Sequence, residues 1–265
     1  MDNGMNYVLW GENLHKEYVM SKSLFGKPLK KYIALKGIDI GVRCGETLGL
    51  VGESGSGKST TGEVLGDLQQ PTEGSVYYLG KDVSKMTKEE YKEYRRDIQF
   101  IFQDPKGSMN PKFTVYQIMK EPLLTLEVMP EGDEMDELIK DYIFRVGLEE
   151  DILGETPARL SGGQCQRIAI ARALIVKPKV IICDEPVSAL DVSVQAQILN
   201  LLRDLQKELK IAYIFISHDI GIVNYMADRI AVMYLGKIVE SGTAEEVFSA
   251  PKDGYTKKLI ECALI

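Results

Sequence analysis

Residues 52–59 read Gly52-Glu53-Ser54-Gly55-Ser56-Gly57-Lys58-Ser59, the spacing G-x-x-x-x-G-K-[ST]. Glycines let a backbone curl until successive N–H groups point inward at an anion, and a helix starting near Lys58 adds the positive end of its dipole. Lys58 suits the β- and γ-phosphates of a nucleoside triphosphate, and the Ser59 hydroxyl suits a magnesium ion. With Thr60, these residues form the expected phosphate cradle. A second motif, Val180-Ile181-Ile182-Cys183-Asp184-Glu185, reads as a buried strand ending in two carboxylates. Asp184 can hold magnesium through water. Glu185 can orient or deprotonate an attacking water. An apolar strand ending in Asp-Glu is common and is structural when it stands alone; the phosphate loop upstream gives it chemistry. Between the two lies Leu160-Ser161-Gly162-Gly163-Gln164. Ser161 can cap a helix, with the glycines as a loop. Equally, a helix beginning near Gly162 can aim its N-terminus outward at a phosphate. The local sequence supports both. One compact domain cannot easily wrap two glycine-rich anion loops around one triphosphate. The spacing therefore suggests two domains head to tail, each lending its second loop to the other's nucleotide.

Strands must deliver these residues. Thr47–Val51 is a short apolar strand running into the glycine loop, followed by a helical pattern from Lys58 to about Leu68. Strand patterns occur at 7–14, 33–42, Ser75–Leu79, Ile98–Phe102, 179–183, 211–217, 229–234 and 237–240, and helical ones at Lys88–Arg96, 161–176 and 193–210. The stretch Lys22–Lys31, basic and holding Gly26 and Pro28, reads as a hairpin-like loop. Residues 104–160 differ: Pro105, Gly107, Pro111, Pro122 and Pro130 break the line before an acidic helical stretch at 133–146. Strand alternating with helix predicts an α/β fold, a phosphate-loop NTPase core with a largely parallel sheet. An antiparallel β region near the N-terminus and an inserted helical subdomain complete it. The expected division of 1–265 is a core at about 1–103 and 176–242, a helical subdomain at about 104–175 and a helical tail at 243–265. Ligands of such sheets bind at the carboxyl ends of strands, where Gly52 and Asp184 fall.

The formal net charge of -7 argues against a nucleic-acid partner, whose phosphates want a basic face. Cys44, Cys165, Cys183 and Cys262 show no C-x-x-C spacing, so neither a zinc site nor a disulfide framework is expected and a reducing compartment fits. There is no basic-then-apolar leader and no apolar run approaching 18 residues, so a secreted or membrane-spanning chain is not expected.

Taken in order across residues 18–218, these motifs resemble those of the ATP-binding-cassette ATPases. The resemblance implies ATP and magnesium as ligands. It makes Gln103, after the strand 98–102, the glutamine that senses magnesium and links the nucleotide to the helical insertion. Ser188-Ala189-Leu190-Asp191 resembles the loop crossing the dimer interface, with Asp191 near the nucleotide. His218 resembles the histidine that contacts the γ-phosphate. Tyr18 fits best as the aromatic that stacks on adenine, with Tyr32 its rival, and His15 is left as a surface residue. Phe102–Pro111, Ser188–Gln197 and Gly236–Gly242 followed by Tyr255-Thr256 are similar to the peptide and nickel import subfamily. That implies a second ATPase subunit, identical or not, integral-membrane permease subunits docked on 104–160, and indirectly a solute-binding protein. The place implied is cytoplasmic, peripheral on the inner face of the membrane. A non-transport accessory ATPase is the alternative. The chain departs from the subfamily in three places. Cys165 stands where relatives usually carry arginine. Pro251-Lys252-Asp253-Gly254-Tyr255 lacks the usual His-Pro pair. The sequence ends at Ile265 without a cysteine-bearing extension, so an iron–sulfur cluster is not expected.

Overall fold

The computed structural model describes residues 6–22 and 28–263. The chain begins with β1 (Leu9–Lys22) and β2 (Pro28–Val42), which pair antiparallel from Leu9↔Val42 to Lys22↔Pro28. Both strands run further into Lys22–Lys31 than the sequence reading places them; residues 23–27 of the expected hairpin-like loop lie outside the described residues. β3 (Thr47–Val51) is buried along its whole length and leads through the glycine loop into α1 (Lys58–Leu65). Such a run without alternation is what a strand covered on both faces requires. β4 (Glu73–Tyr78) and the two-residue β5 (Lys81–Asp82) complete an antiparallel sheet in the order β2-β1-β4-β5, as the N-terminal reading predicted. Then come α2 (Lys88–Asp97), β6 (Ile98–Ile101), α3 (Val115–Thr125), α4 (Asp133–Arg145), α5 (Gly162–Leu174), β7 (Val180–Asp184) and α6 (Val192–Leu209). β8 (Ala212–Ser217), α7 (Ile220–Met226), β9 (Arg229–Tyr234), β10 (Lys237–Thr243), α8 (Ala244–Ser249) and α9 (Gly254–Ala263) follow.

These elements form two compact units. One runs through Thr87 and resumes at Ala212; the other spans Lys88–Ile211. In the first, β3 is parallel to β8 and to β9, and β10 closes antiparallel on β9. Val51 pairs with Ser217 and with Val232, so β3 and β8 end level while β9 runs on to Tyr234. Gly52 and His218, each one residue further on, therefore emerge at the same edge. In the second unit, β6 and β7 pair in parallel with Ile101 opposite Cys183, which brings Gln103 and Asp184-Glu185 out at one end.

Helix α3 corrects the sequence reading, which placed a break at Pro122. The helix runs through it, although proline removes a backbone donor and normally ends or kinks a helix. A capping box between Thr114 and Gln117 starts the helix, and Val115, Ile118, Met119 and Leu123 bury one face. In α5, Ile168, Ala169, Ile170 and Ala171 are all fully buried, so that helix is apolar around most of its circumference.

The level start of the central strands rests on Arg229. Its Nε donates to Glu46 Oε1 at 3.0 Å and its Nη2 to the Gly41 carbonyl at 2.6 Å. The neighbouring Asp228 Oδ2 accepts the Thr47 amide at 2.8 Å. The Arg229 and Glu46 side chains are only 20% and 11% exposed. Losing one partner strands the other in a poorly solvated place. Arg229→Ala should lower the unfolding free energy by about 2–4 kcal/mol, read as a lower urea midpoint with an unchanged slope. An unshifted midpoint would contradict this anchor.

Candidate functional site

The loop between β3 and α1 is shaped by what its glycines lack. A Cβ on Gly52 would lie 2.1 Å from the Met233 carbonyl oxygen. Gly57, at φ +111°, would press a Cβ to 2.6 Å from the Ala34 carbonyl oxygen. Inside this curl, the buried Lys58 ammonium donates to the carbonyl oxygens of Gly52 at 2.7 Å and Glu53 at 2.9 Å. The loop's own backbone thus fixes the one cation at its centre. Ser56 is 3% exposed and its Oγ has no hydrogen-bond partner, an orphaned buried hydroxyl within the cradle. Glu53, Ser54, Gly55 and Ser59 are exposed and Thr60 is half-buried. The loop therefore offers N–H groups, hydroxyls and an ammonium around a backbone no bulkier sequence could follow, and that set is suited to a polyphosphate.

Three outer contacts hold the loop, and sequence reasoning found none of them. The Gly236 amide, in the β9–β10 turn, donates to the Ser56 carbonyl at 2.9 Å. The Tyr32 hydroxyl donates to the Gly55 carbonyl at 3.0 Å. The Glu53 amide donates to the Tyr255 hydroxyl at 2.9 Å. The sequence marks Tyr32 only as the rival aromatic, and Gly236 and Tyr255 only as parts of stretches similar to the import subfamily. Tyr32 and Tyr18 are cross-strand partners on β2 and β1, with ring centroids 6.4 Å apart. Tyr18 is half-buried, donates its hydroxyl to Gln69 Oε1 at 2.9 Å and has the Lys16 ammonium over its ring. His15 is half-buried on β1, partly exposed and packed close to Gly37, where a Cβ would lie 2.8 Å from its Nε2.

His218 follows the fully buried strand β8 and is exposed. Its position is set from both sides. Ser217 Oγ accepts the Asp219 amide at 3.0 Å, and Asp219 caps α7 by accepting the amides of Gly221 and Ile222.

In the other unit, β7 is buried through Cys183 and surfaces at Asp184, with both Asp184 and Glu185 half-buried. Glu185 has φ +46°, a left-handed conformation that costs a non-glycine residue roughly 1–3 kcal/mol and clusters at functional sites. Gln103 Nε2 donates to Glu185 Oε2 at 3.1 Å. Here the structure brings together two residues that the sequence places only at the ends of two separate strands. Burial pushes the Cys183 thiol far up, so it stays neutral in the strand.

Ser161 is the N-cap of α5: its Oγ accepts the Gln164 amide at 3.2 Å, and Gln164 Oε1 accepts the Ser161 amide at 2.9 Å. Gly162 and Gly163 are the first helical residues and not a loop, which corrects that part of the capping reading. They permit close packing; a Cβ on Gly163 would lie 2.8 Å from Val194 Cγ1 of α6, and one on Gly162 3.3 Å from Leu190. Asp191 caps α6 through the Val194 amide at 3.0 Å and the Ser193 hydroxyl at 2.6 Å. Those donors hold its carboxyl below the usual range, Ser193 first among them. Cys165 is fully buried with its Sγ near the Pro157 carbonyl, and burial raises its thiol pKa. It stands in the packing behind the α5 terminus.

With this geometry in hand, comparison with known proteins is specific. The family model described as ABC transporter matches residues 35–188. The oligopeptide transport ATP-binding protein OppF of Salmonella typhimurium is 47% identical over 252 residues, covering 95% of this chain and 75% of that protein. The dipeptide transport ATP-binding protein DppF of Escherichia coli is 46% identical over 253 residues, 96% of this chain and 75% of that protein. Among solved structures, the ATP-binding cassette MJ0796, a dimer in a post-hydrolysis state with ADP and Pi, superposes with a TM-score of 0.78 at 31% identity. That match covers 89% of this chain and 98% of the other.

Gly57→Ala tests the cradle. The added methyl must displace the Ala34 backbone or force α1 to start elsewhere. Nucleotide affinity by calorimetry should fall by roughly tenfold or more, with the far-ultraviolet spectrum retained. Wild-type affinity would contradict the steric account.

Proposed function

We infer from membership of the ATP-binding-cassette transporter family, to which this chain belongs, that its ATP hydrolysis energises import of a small solute, an oligopeptide or dipeptide, through separate permease subunits. The observation that carries this reading is the near end-to-end match to peptide-transport ATP-binding proteins at 44–47% identity. A nickel ion or metal chelate is the other solute class the subfamily resemblance allows.

In the mechanism we propose, two cassettes close head to tail on two ATP molecules. The Gly52–Thr60 loop of one cassette and the Ser161–Gln164 helix start of the other meet the same triphosphate. Lys58 neutralises the β- and γ-phosphates, and α1 and α5 direct N–H groups and dipoles at them. Tyr18 stacks on adenine. The Glu185 carboxylate, held by the Gln103 amide, accepts a proton from the attacking water. That water forms a bond to the γ-phosphorus as the bond to the bridging oxygen of ADP breaks. His218 hydrogen-bonds the γ-phosphate, and Asp191 fixes the loop leading into α6. Positioning and charge stabilisation do most of the work in such transfers. Ser59, Gln103 and Asp184 would hold magnesium; hydroxyl, amide and carboxylate oxygens are the donors a hard cation takes. When bound, that ion neutralises charge on the phosphate oxygens.

Among the described residues no helix is long and apolar enough to cross a membrane. We place the protein on the cytoplasmic face, against its permease, with a solute-binding protein acting indirectly. The proposed docking segment is 104–160, where Leu124 and Phe144 are exposed, Phe144 at 74%. Permease helices that end in a short amphipathic segment would seat there.

Two outcomes test this. Glu185→Gln should keep ATP binding, lose at least ~100-fold in turnover and accumulate a closed dimer by size-exclusion chromatography; wild-type turnover would remove Glu185 as the base. A photo-crosslinker at Phe144 should capture a permease loop in membranes holding the whole transporter. Equal labelling from a probe on the Lys88–Asp97 helix would place the docking surface elsewhere.

A further inference from the structure

We propose that Tyr255 is a positioning residue for the phosphate loop, its hydroxyl holding the Glu53 amide so that the C-terminal helix sets the loop's entry geometry. The proposal rests on the reading of Gly52–Thr60 as the ATP-binding loop and adds to it a residue that lies outside every nucleotide motif.

The hydrogen bond from the Glu53 amide to the Tyr255 hydroxyl, 2.9 Å, spans 202 positions in the sequence. It lands on the exposed part of the loop. Glu53, Ser54 and Gly55 are exposed, and they follow the end of β3 but precede the first turn of α1. The phenol is itself held in place. Its ring lies against Tyr234, with centroids 4.3 Å apart and planes tilted by 32°. Its backbone amide donates to Asp253 Oδ1 at 2.8 Å. Glu240, on β10, accepts the amides of Lys252 at 2.8 Å and Asp253 at 3.0 Å, which fixes the turn entering α9. Tyr234 precedes by two residues Gly236, whose amide holds the Ser56 carbonyl. The β9–β10 hairpin and the start of α9 thus form one bracket that grips the loop at Glu53 and at Ser56. Burial pushes the Tyr255 phenol above its ordinary pKa, so the hydroxyl stays protonated throughout the neutral range. A contact made only to pack α9 would need the ring but not the hydroxyl.

Tyr255→Phe keeps the ring and removes the oxygen. Hydrogen exchange of the nucleotide-free protein, resolved to the Glu53 amide, should speed by roughly 2- to 12-fold while amides of α9 keep their wild-type rates. The dissociation constant for MgATP should rise by about three- to tenfold, with turnover at saturating ATP within about twofold of wild type. Wild-type exchange at Glu53, or wild-type affinity, overturns the proposal. So does equal acceleration across α9, which would make the hydroxyl a support of the tail and not of the loop. Lys58→Ala separates this from the underlying reading. If that variant binds ATP normally, the loop is not the nucleotide site, while the exchange rate at Glu53 still reports whether Tyr255 holds it.

Discussion

Lys58 is buried, positively charged and surrounded by the carbonyl oxygens of its own loop. A buried ammonium is costly unless hydrogen-bonded, and here the backbone supplies the bonds. This is possible only because the chain curls tightly, with Gly52 and Gly57 passing within methyl-excluding distance of Met233 and Ala34. Those two neighbours come from strands that flank or face β3, so the surrounding strands set the space the loop backbone must fit. The register that ends β3 level with β8, the Arg229 anchor at the start of β9, and the Gly236 turn all converge on this one curl.

The second unit follows a different rule. Three of its candidate site residues are also helix caps. Ser161 and Gln164 close a capping box on α5, and Asp191 caps α6. An N-cap leaves the helix dipole intact and directs the remaining first-turn amides outward, so capping and anion binding at one terminus are compatible. The sequence left these two readings of Leu160–Gln164 balanced; the structure establishes the cap, and the anion role is what the proposed mechanism adds. Gln103 and Glu185 make a comparable pair: a hydrogen bond joins them across strands whose register alone brings them level.

Much of this was legible beforehand. Thr47–Val51 and 229–234 were read to the residue, because short apolar runs bounded by glycine or turn residues leave little choice of ends. The α/β class followed from strand–helix alternation, and the family from the ordered motifs. The two-residue strand β5 is too short to carry a periodic signal. Pro122 misled because a capping box and a buried apolar face outweigh one lost backbone bond. The grips of Tyr32, Gly236 and Tyr255 on the phosphate loop were invisible because nothing local marks a hydroxyl or amide that acts across tens or hundreds of residues.

The central claim is that a nucleotide is completed by two chains, one giving the Lys58 loop and the other the Ser161–Gln164 helix start. The structure of the Glu185→Gln protein with MgATP, determined alone or with its partner cassette, tests this most directly. The account predicts two nucleotides per dimer, each touched by the phosphate loop of one chain and the α5 terminus of the other. A nucleotide touched by both elements of a single chain, or by no α5 terminus at all, would contradict it.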